Sequence, residues 1–451
     1  MMVYNITEYG AKPDAPDFQT TVIQDVINMC YLNGGGEVVV PGGKYRTGGL
    51  LLRSGVTLHL MENAALEGSA DPGDYLYYQS DPLSSGGGYS PILSEIPGSP
   101  ESKARKIMTM SRSYWNYALI RAIDSVNVSV IGESGSKLDG VNCFDPKGEN
   151  NYRGPHGIDM FCCRGVTLKG YTVVNCGNWA HALFFCDNIV ADGISVRGGH
   201  DGFHVRSCTN IVLENADLRC GDDAVAGFDN INMTVAGCYL NSACNAMRFG
   251  GTNVIVRDCV VEGPGEYVFR GSLGRETQEK SLMSDENGRY DTLSFFDYFG
   301  DESFDIREQP GNIIIRDCTV KNVDRFIHYN YSGSDPWQSN RPLGSITLKN
   351  VTAENVGSPV IIYGDGDTPI DARFENVRIG FDQNVEPGDF MRLCNYSRII
   401  LRDVSVSFSG AEARPVITRY TGVSGDIIPC GIVPDDLRIT DTDGEFRCIR
   451  F

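Results

Sequence analysis

Three aspartates in the centre of the sequence have a spacing that could bring them into one chemical site. Asp201 stands in the segment HDG and the pair Asp222-Asp223 stands in CGDD, so Asp201 precedes Asp222 by 21 residues. Carboxylates that lie close together cannot all ionise freely, so the pKa of at least one should rise, which separates a proton donor from a base. Such a set suits hydrolysis of a glycosidic bond, in which one acid protonates the leaving oxygen and another group activates water or attacks the sugar. The alternative is that these acids cap turns or bind a cation, since aspartate is a common turn residue.

The interval between the aspartates matches a repeat in the surrounding sequence. Similar segments open at four asparagines, at steps of 22, 22 and 21 residues: Asn188, Asn210, Asn232 and Asn253. A period of this length, filled with alternating apolar residues and turns of Gly, Asn and Asp, predicts coils of a parallel β-helix. Residues one period apart would stack on neighbouring coils at roughly 4.8 Å. The three aspartates are therefore predicted to share one outer face.

Strand alternation assigns side chains to the two faces of these coils. From Asp201 to Val205, Phe203 and Val205 should point inward and His204 outward. The repeat places Arg248 in the same outward column as His204. Either side chain could hydrogen-bond a sugar hydroxyl or a carboxylate, and the alternative is that each is a satisfied surface group.

The same repeat extends the column of aspartates. Asn245 follows Asp223 by one period, and Trp179 precedes the first aspartate by 22 residues. The indole of Trp179 could form an aromatic platform, with burial in the core as the alternative. Consecutive Asp222 and Asp223 cannot both face a cleft from an ideal strand, but Gly221 permits a bend there.

Length and composition favour one elongated array. The chain has 451 residues, of which 52 are glycine, and long stretches of helical periodicity are scarce. Because each coil of a repeat array contacts only its neighbours, we predict a single, nearly all-β domain over residues 1–451. One helical stripe near the start predicts a helix that caps the first coil. It comprises Val22, Ile23, Val26, Ile27 and Cys30.

The period is lost in three stretches. Residues near 69–117 are rich in Pro, Gly, Ser and Tyr, and the tyrosines of this excursion would either stack on sugars or pack on the surface. From residue 410 the sequence becomes irregular, which predicts a C-terminal cap over residues 410–451. A second excursion near 274–310 is interpreted as a lid, a patch packed on the coils or a subunit contact. Its aromatic cluster comprises Phe295, Phe296, Tyr298, Phe299 and Phe304.

The formal net charge of −19 argues against nucleic acid and anionic membranes as partners, because both need clustered Lys and Arg. A polyanionic substrate would need a locally basic cleft. No apolar run approaches the roughly 20 residues of a membrane span, and the opening MMVYNITEYG has no basic segment followed by an apolar one. With an odd count of 15 cysteines, this predicts a cytoplasmic protein with reduced cysteines. The sequence predicts no metal and no cofactor, and it leaves a homo-oligomer open.

The order of the segments resembles glycoside hydrolase family 28, the polygalacturonase-type enzymes. The resemblance runs from about Tyr4 to Gly271 and rests on YNITEYGAK, VPGGKYRTG, VTLHL, LDG, the RGP before HGIDM, NCGNWAHALFF, HDG and GDD. It implies a right-handed parallel β-helix, a solenoid of the pectin-lyase-like type. It also implies an inverting mechanism in which Asp222 is the general acid while Asp201 and Asp223 hold the attacking water.

Two motifs of that family are altered in this sequence. The family's Gly-His-Gly falls at SACNA, where Asn245 stands by strand phase and Cys244 by simple counting. The family's Arg-Ile-Lys, which grips the substrate carboxylate, falls at Arg270-Gly271-Ser272, which keeps only the arginine. Other polar residues are predicted to compensate. The predicted substrate-binding residues are Trp179, His200, His204, Asn245, Arg248 and Arg270.

We therefore predict a cytosolic glycosidase that acts on short, imported plant-type oligosaccharides, pectic or related, with long loops that favour exo-action. One alternative is a β-helix polysaccharide lyase or epimerase, in which His204 and Arg248 would act near the sugar C5 and the aspartates would hold Ca²⁺. The other is a non-catalytic carbohydrate-binding β-helix, which the missing histidine makes credible. Calcium dependence and an unsaturated product would distinguish the lyase, and glycan binding without turnover would distinguish the binding protein.

Overall fold

The computed structural model describes residues 2–75, 117–280, 288–300, 307–331, 341–433 and 436–444. Within these ranges the chain is almost entirely β, as predicted. Tyr77, Tyr78 and Tyr89 of the first excursion, and Phe304 of the second, lie outside the described residues. No helix in the described ranges is both long and apolar enough to cross a membrane.

The chain divides into two compact units. The N-terminal unit comprises Met1–Asp222 and Tyr267–Arg289, and the C-terminal unit comprises Asp223–Glu266 and Tyr290–Phe451. Within each unit, strands pair in parallel with strands one coil away, which is the arrangement of a right-handed parallel β-helix. The predicted fold class is therefore confirmed. The prediction of a single domain over the whole chain stays a prediction.

The described strands of the N-terminal unit form parallel sheets on three sides of each coil. They are β1 (Val3–Asn5), β2 (Gly36–Val40), β3 (Gly43–Arg46), β4 (Leu50–Leu52), β5 (Val56–Leu60), β6 (Ala64–Glu67), β7 (Ala118–Ile123), β8 (Val126–Gly132), β9 (Lys137–Asp139), β10 (His156–Phe161), β11 (Arg164–Lys169), β12 (Thr172–Val174), β13 (His181–Phe184), β14 (Asp187–Asp192), β15 (Ser195–Gly198), β16 (Phe203–Arg206), β17 (Thr209–Glu214) and β18 (Asp217–Cys220). One sheet, formed by β4, β7, β10, β13 and β16, carries His204, while Trp179 and Asp201 lie in the segments that precede β13 and β16.

The repeated asparagines occupy left-handed backbone positions within the strands. Asn188 and Asn210 adopt left-handed backbone with φ of 57° and 56°, a conformation that asparagine tolerates better than most residues. The Nδ2 of Asn210 donates to Oδ1 of Asn188 at 3.2 Å, so the amides also bond from coil to coil. In the C-terminal unit, Asn253 donates to Asn232 in the same way at 3.2 Å.

The N-terminal helix covers the first coils, as predicted. Helix α1 (Thr20–Leu32) buries Ile23, Val26, Ile27 and Cys30, whereas Val22 is only half-buried. Gln24 fixes the helix to β4 through two hydrogen bonds with the Leu51 backbone, of 2.7 and 3.0 Å. The other described helical segments are α2 (Arg275–Glu279) and the 3₁₀ turns Ile6–Tyr9, Pro72–Asp74, Glu149–Asn151 and Arg270–Ser272.

The C-terminal unit consists of longer coils. Its described strands are β19 (Val225–Ala236), β20 (Tyr239–Ser242), β21 (Asn245–Arg257), β22 (Val260–Glu262), β23 (Ser294–Tyr298), β24 (Gly311–Val323), β25 (Arg325–Asn330), β26 (Ser345–Val356), β27 (Val360–Tyr363), β28 (Ile370–Phe381), β29 (Asp389–Cys394), β30 (Tyr396–Phe408), β31 (Val416–Tyr420), β32 (Ser424–Val433) and β33 (Arg438–Thr442). The core is formed by inward side chains such as Val225 and Met247, which are paired in register and fully buried.

Two stretches predicted to be irregular contain regular strands. Strand β23 lies within the excursion near 274–310 and pairs in parallel with β21, and Phe295, Phe296 and Tyr298 are fully buried. The aromatic cluster is thus packed on the coils, the second of the three interpretations. Strands β31, β32 and β33 continue the coils to Thr442, so the predicted cap is not irregular over that length. In β23 one strand face is buried, although an altered coil length hides the period. Strands β32 and β33 are mostly exposed, so they lack a buried face that would have marked them in the sequence.

Candidate active site

Asp201 is held just before β16 by a hydrogen bond from His204. Asp201 is 4% exposed, and its Oδ2 lies 2.6 Å from His204 Nδ1. The other nitrogen of that ring, Nε2, accepts a hydrogen bond of 2.7 Å from Arg206 Nε. Because arginine is always a donor, Nε2 carries no proton in this arrangement and Nδ1–H donates to Asp201. Two of the predicted site residues therefore belong to one hydrogen-bonded chain.

Trp179 lies against His204 in the N-terminal unit. The two rings are stacked, with centroids 3.8 Å apart and planes 10° from parallel. Trp179 is 4% exposed and belongs to a buried cluster with Phe161 and Phe184. As predicted, Phe203 and Val205 are fully buried on the inward side of the strand. Burial, the alternative reading of Trp179, is what the structure shows, and a role as a sugar platform stays a prediction.

Asp222 forms a buried ion pair with Arg153. The backbone reaches Asp222 through Gly221, where a Cβ would lie 1.9 Å from the Val268 carbonyl oxygen, so only glycine fits. The Oδ2 of Asp222 lies 2.9 Å from Nη2 of Arg153, and the two side chains are 14% and 8% exposed. Arg153 also donates from Nη1 to Asn178 Oδ1 at 3.2 Å. This arrangement fixes the position of the predicted general acid.

Arg153 connects the carboxylates of the N-terminal unit. Burial lowers the pKa of Arg153, but Asp222, Tyr152, Glu149 and Asp201 outweigh burial and raise that pKa above its ordinary value. Arg153 therefore stays charged. Sequence reasoning did not single it out, although it stands in the quoted RGP, because the stretch between β9 and β10 has no repeat phase that would place it.

His200 and Arg270 lie together against Tyr152. The rings of His200 and Tyr152 are stacked at 5.9 Å, and the guanidinium of Arg270 lies 6.0 Å from the Tyr152 ring centroid. His200 is 3% exposed and Arg270 is fully buried. Arg270 Nη1 reaches Asn142 Oδ1 at 3.5 Å. Within the described residues, neither ring nitrogen of His200 has a hydrogen-bond partner, nor do Nε and Nη2 of Arg270.

Burial and neighbouring cations determine the charges of these groups. Burial, then Arg153 and Arg270, hold the pKa of His200 well below its ordinary value, so His200 is neutral. Burial also lowers the pKa of Arg270 to about 10, which leaves it charged at neutral pH. Arg270 therefore adds a buried positive charge near the Arg153–Asp222 pair.

His156 is a further buried histidine that sequence reasoning did not assign. It is 1% exposed, its ring lies 5.1 Å from that of Trp179, and burial lowers its pKa to about 3. Only its position in the quoted segment HGIDM could have drawn attention to it.

A small cavity lies beside Asp201. Its volume is about 10 Å³, close to the space that a single water needs. Asn178, Gly199, His200 and Asp201 are among its lining residues.

The C-terminal unit holds the other three predicted residues in one contact network. Asn245 donates from its backbone N and from Nδ2 to Asp223 Oδ1, at 3.2 and 2.7 Å. Arg248 Nη1 lies 3.7 Å from Asp223 Oδ2, and its guanidinium lies 4.1 Å above the Phe299 ring. The register pairs Ala226 with Arg248, as the repeat predicts. Arg248 is one-third exposed, whereas Asp223 is buried.

The network extends to residues that the sequence did not reveal. Asp297 is paired in register with Arg248 and with His328. Its Oδ1 lies 2.9 Å from His328 Nδ1, and its Oδ2 lies 3.7 Å from Arg325 Nη2. Burial raises the pKa of Asp297, but His328, Arg325 and Arg248 outweigh burial and lower it. The 49-residue step from Arg248 to Asp297 lies far from the period, which explains why the pairing was missed.

The nine predicted site residues are thus divided between the units. The N-terminal unit holds Trp179, His200, Asp201, His204, Asp222 and Arg270, and the C-terminal unit holds Asp223, Asn245 and Arg248. In the C-terminal unit an oxygen of Asp223 and Sγ of Cys244 lie within 4.8 Å of each other. Both are metal-ligand types, but such atoms alone do not define a site, and we assign no metal to them.

Comparison with known proteins identifies the relationship of this chain. The family model described as Glycosyl hydrolases family 28 matches residues 98–243, which include Asp201, Asp222 and Asp223. Over these residues the chain is similar to that family, and they make up less than half of its length. The chain is 24% identical over 234 residues to a Vitis vinifera protein described as a probable polygalacturonase, covering 49% of this chain and 43% of that protein.

Two further comparisons cover very different shares of the chain. An exo-poly-α-D-galacturonosidase of Dickeya chrysanthemi is 44% identical over 73 residues, which are 16% of this chain and 12% of that protein. The chain therefore spans less than half the length of both proteins. The structure of the Yersinia enterocolitica family 28 exopolygalacturonase superposes with a TM-score of 0.62 at 17% identity, covering 97% of this chain and 78% of that one. This last similarity shows the shared fold.

Proposed function

We propose that this protein is a glycosidase that hydrolyses glycosidic bonds in pectic or related oligosaccharides. The observation that carries the proposal is the buried pair of Asp222 and Arg153, whose cation also interacts with Asp201. Two carboxylates with different surroundings near one fixed cation suit acid–base chemistry on a glycosidic bond. The relationship to family 28 supports the same reaction class.

In the proposed reaction, Asp222 and Asp201 have different roles. Asp222 is ionised in its pair with Arg153, so it must first take up a proton. It then gives that proton to the glycosidic oxygen while the bond from that oxygen to the anomeric carbon breaks. A water attacks the same carbon, and its proton passes to Asp201. The water-sized cavity beside Asp201 supports this assignment. We further propose that Asp223 helps to hold the water and that the reaction inverts the anomeric centre.

We propose that the sugar carries a carboxylate. Arg153, Arg270 and His200 gather donors in the N-terminal unit, and several of their nitrogens have no hydrogen-bond partner in the described residues. Buried polar atoms are normally paired, so these donors need a water or a ligand that supplies acceptors, and the charge of the two arginines favours an anionic ligand. Arg248 of the C-terminal unit is more accessible, and its guanidinium over Phe299 offers a second contact for a sugar acid.

We also propose exo-action on short oligosaccharides in the cytoplasm. The exo-acting Dickeya chrysanthemi relative supports this mode of cleavage. Release of one small product from the earliest time points is the expected behaviour, whereas a ladder of intermediate lengths would indicate endo-action.

Product analysis tests the proposal. Wild-type and Asp222→Asn proteins are incubated with a panel of uronic-acid and neutral plant oligosaccharides, and reducing ends and unsaturated products are followed together. Asp217→Asn is the matched control, because Asp217 pairs with Arg219 at a half-exposed position outside the site. New reducing ends from wild type and control alone support the hydrolase. Unsaturated ends would move the assignment to a lyase, and binding without products to a non-catalytic protein.

A further inference from the structure

We infer that His204 and Arg206 are positioning residues that orient the Asp201 carboxylate while Arg206 keeps His204 neutral. The inference rests on the proposed function, in which Asp201 receives the proton of water. His204 is bonded at both ring nitrogens, at 2.6 Å to Asp201 and at 2.7 Å from Arg206. The ring cannot take up a proton at Nε2 without losing the hydrogen bond from Arg206.

Aromatic packing fixes the plane of the His204 ring. Trp179 stacks on it at 3.8 Å, and the guanidinium of Arg206 lies 5.1 Å from the Trp179 ring and 5.7 Å from the Phe184 ring. His204 and Trp179 are each 4% exposed, and Arg206 is 9% exposed. A ring held in this way does not turn to offer a nitrogen to a sugar. The role we assign to His204 therefore replaces the sugar-binding role expected from the sequence.

Five charged or titratable groups lie around His204 in the described part of the N-terminal unit. Asp201 and Arg206 are its hydrogen-bond partners. Arg121, Asp159 and His156 lie on the preceding coils. Arg121 and Asp159 pair with each other at 2.8 Å. His156 is neutral, since burial lowers its pKa to about 3. Of these groups, Arg206 is the one that occupies Nε2.

Removing Arg206 should give His204 a new proton site. In Arg206→Met, Nε2 of His204 loses its hydrogen-bond donor, while Nδ1 of the same ring still bonds the Asp201 carboxylate. The imidazole should therefore take up a proton near neutral pH. An imidazolium beside Asp201 makes that carboxylate a weaker base. The kcat of the variant should therefore fall about tenfold as the pH falls from 8 to 6, with KM changed less than about threefold. The kcat of wild type should not show this decrease between pH 8 and pH 6.

The test measures the histidine directly as well as the rate. The protein has 6 histidines, so ¹⁵N-histidine labelling with a His204→Gln variant identifies the His204 signals. In wild type, His204 should carry its proton on Nδ1 and should not titrate between pH 5 and 8. In Arg206→Met it should titrate, and Arg206→Lys, which restores a cationic donor, should suppress that titration. Arg219→Met, at a half-exposed position outside the site, should behave as wild type.

The outcomes separate this inference from the proposed function. A wild-type His204 that carries its proton on Nε2, or that titrates near pH 6.5, would overturn the inference. An Arg206→Met variant that is slower but keeps the wild-type pH profile would also overturn it, since that is the behaviour of a purely structural residue. If the predicted tautomer and titration are found in a protein without hydrolase activity, the inference holds and the proposed function fails.

Discussion

Arg153 and Asp222 form an ion pair of 2.9 Å in which neither side chain is more than 14% exposed. Such a pair is costly to bury, and removing one partner leaves the other charge without compensation. The pair therefore contributes more to the position of the Asp222 carboxylate than to the stability of the fold. It holds that carboxylate beside a cation that also interacts with Asp201.

Replacing Arg153 should therefore affect both stability and turnover. We expect Arg153→Met to lower the free energy of unfolding by about 2–4 kcal/mol, because the Asp222 charge remains partly buried without its partner. The kcat should fall at least about tenfold, because the carboxylate is no longer oriented. Urea unfolding and steady-state kinetics measure the two effects. Arg164→Met, which breaks a more exposed pair with Asp187, should leave both unchanged, and equal effects of the two variants would contradict the role of Arg153.

His200 should show a trade-off between stability and function. Both its ring nitrogens are buried without a partner in the described residues, and each such atom costs about 1–3 kcal/mol. His200→Phe should therefore keep or raise the urea midpoint while it lowers kcat/KM on carboxylated oligosaccharides at least about tenfold.

His181 supplies the matched control for that substitution. It is equally buried, but its nitrogens are bonded to Tyr171 Oη at 3.1 Å and to the Gly202 carbonyl at 2.9 Å. His181→Phe should lower stability by about 1–3 kcal/mol, because both partners lose a buried hydrogen bond. If His200→Phe is destabilised as much as His181→Phe, the nitrogens of His200 are not unsatisfied in the folded protein.

Arg248 should distinguish charged from uncharged substrates. Its guanidinium is one-third exposed above Phe299. We expect Arg248→Met to raise KM about 10- to 100-fold on oligosaccharides with free carboxylates, with little change in kcat, because a charge-assisted contact is lost. On the methyl-esterified forms KM should barely change. Arg257→Met, which alters a more exposed arginine paired with Asp258, serves as the control, and an equal loss on both substrate forms would count against a carboxylate contact.

Asp297 should make the C-terminal unit sensitive to acid. Its folded-state pKa is lowered by His328, Arg325 and Arg248 against the effect of burial, so its contribution to stability is present above the unfolded pKa of about 3.9 and is lost as the pH falls through the folded value. Asp297→Asn should lower stability by about 2–4 kcal/mol at pH 7. The difference from wild type should shrink below about pH 4, as measured by urea unfolding across pH. A difference that is constant from pH 7 to pH 3 would refute the network.

Much of the fold was predictable because a repeat constrains many residues at once. The asparagine spacing fixed the phase of Phe203 and Val205, and it correctly aligned Asp223 with Asn245 and Ala226 with Arg248. Alignment by the repeat period fails where the length of a coil changes. Between β21 and β23 the register step grows to 49 residues, so the pairing of Asp297 could not be read from a period of 21 or 22.

The site was less predictable than the fold, because it depends on side chains from irregular segments. Arg153 reaches Asp222 from the stretch between β9 and β10, which has no repeat phase. The outward direction of His204 was predictable from strand alternation, but its two hydrogen bonds depend on the rotamers of Asp201 and Arg206. A sequence pattern gives the face of a strand and not the partner of a side chain.

The most direct test of the account is whether Asp222 supplies the proton to the leaving oxygen. Wild type and Asp222→Asn are compared on a natural oligosaccharide and on an aryl glycoside of the same sugar, whose phenolate leaves without protonation. If Asp222 is the general acid, kcat/KM of Asp222→Asn should fall about 10²- to 10⁴-fold on the oligosaccharide and far less on the aryl glycoside. An equal loss on both substrates, or unchanged turnover of the oligosaccharide, would contradict it.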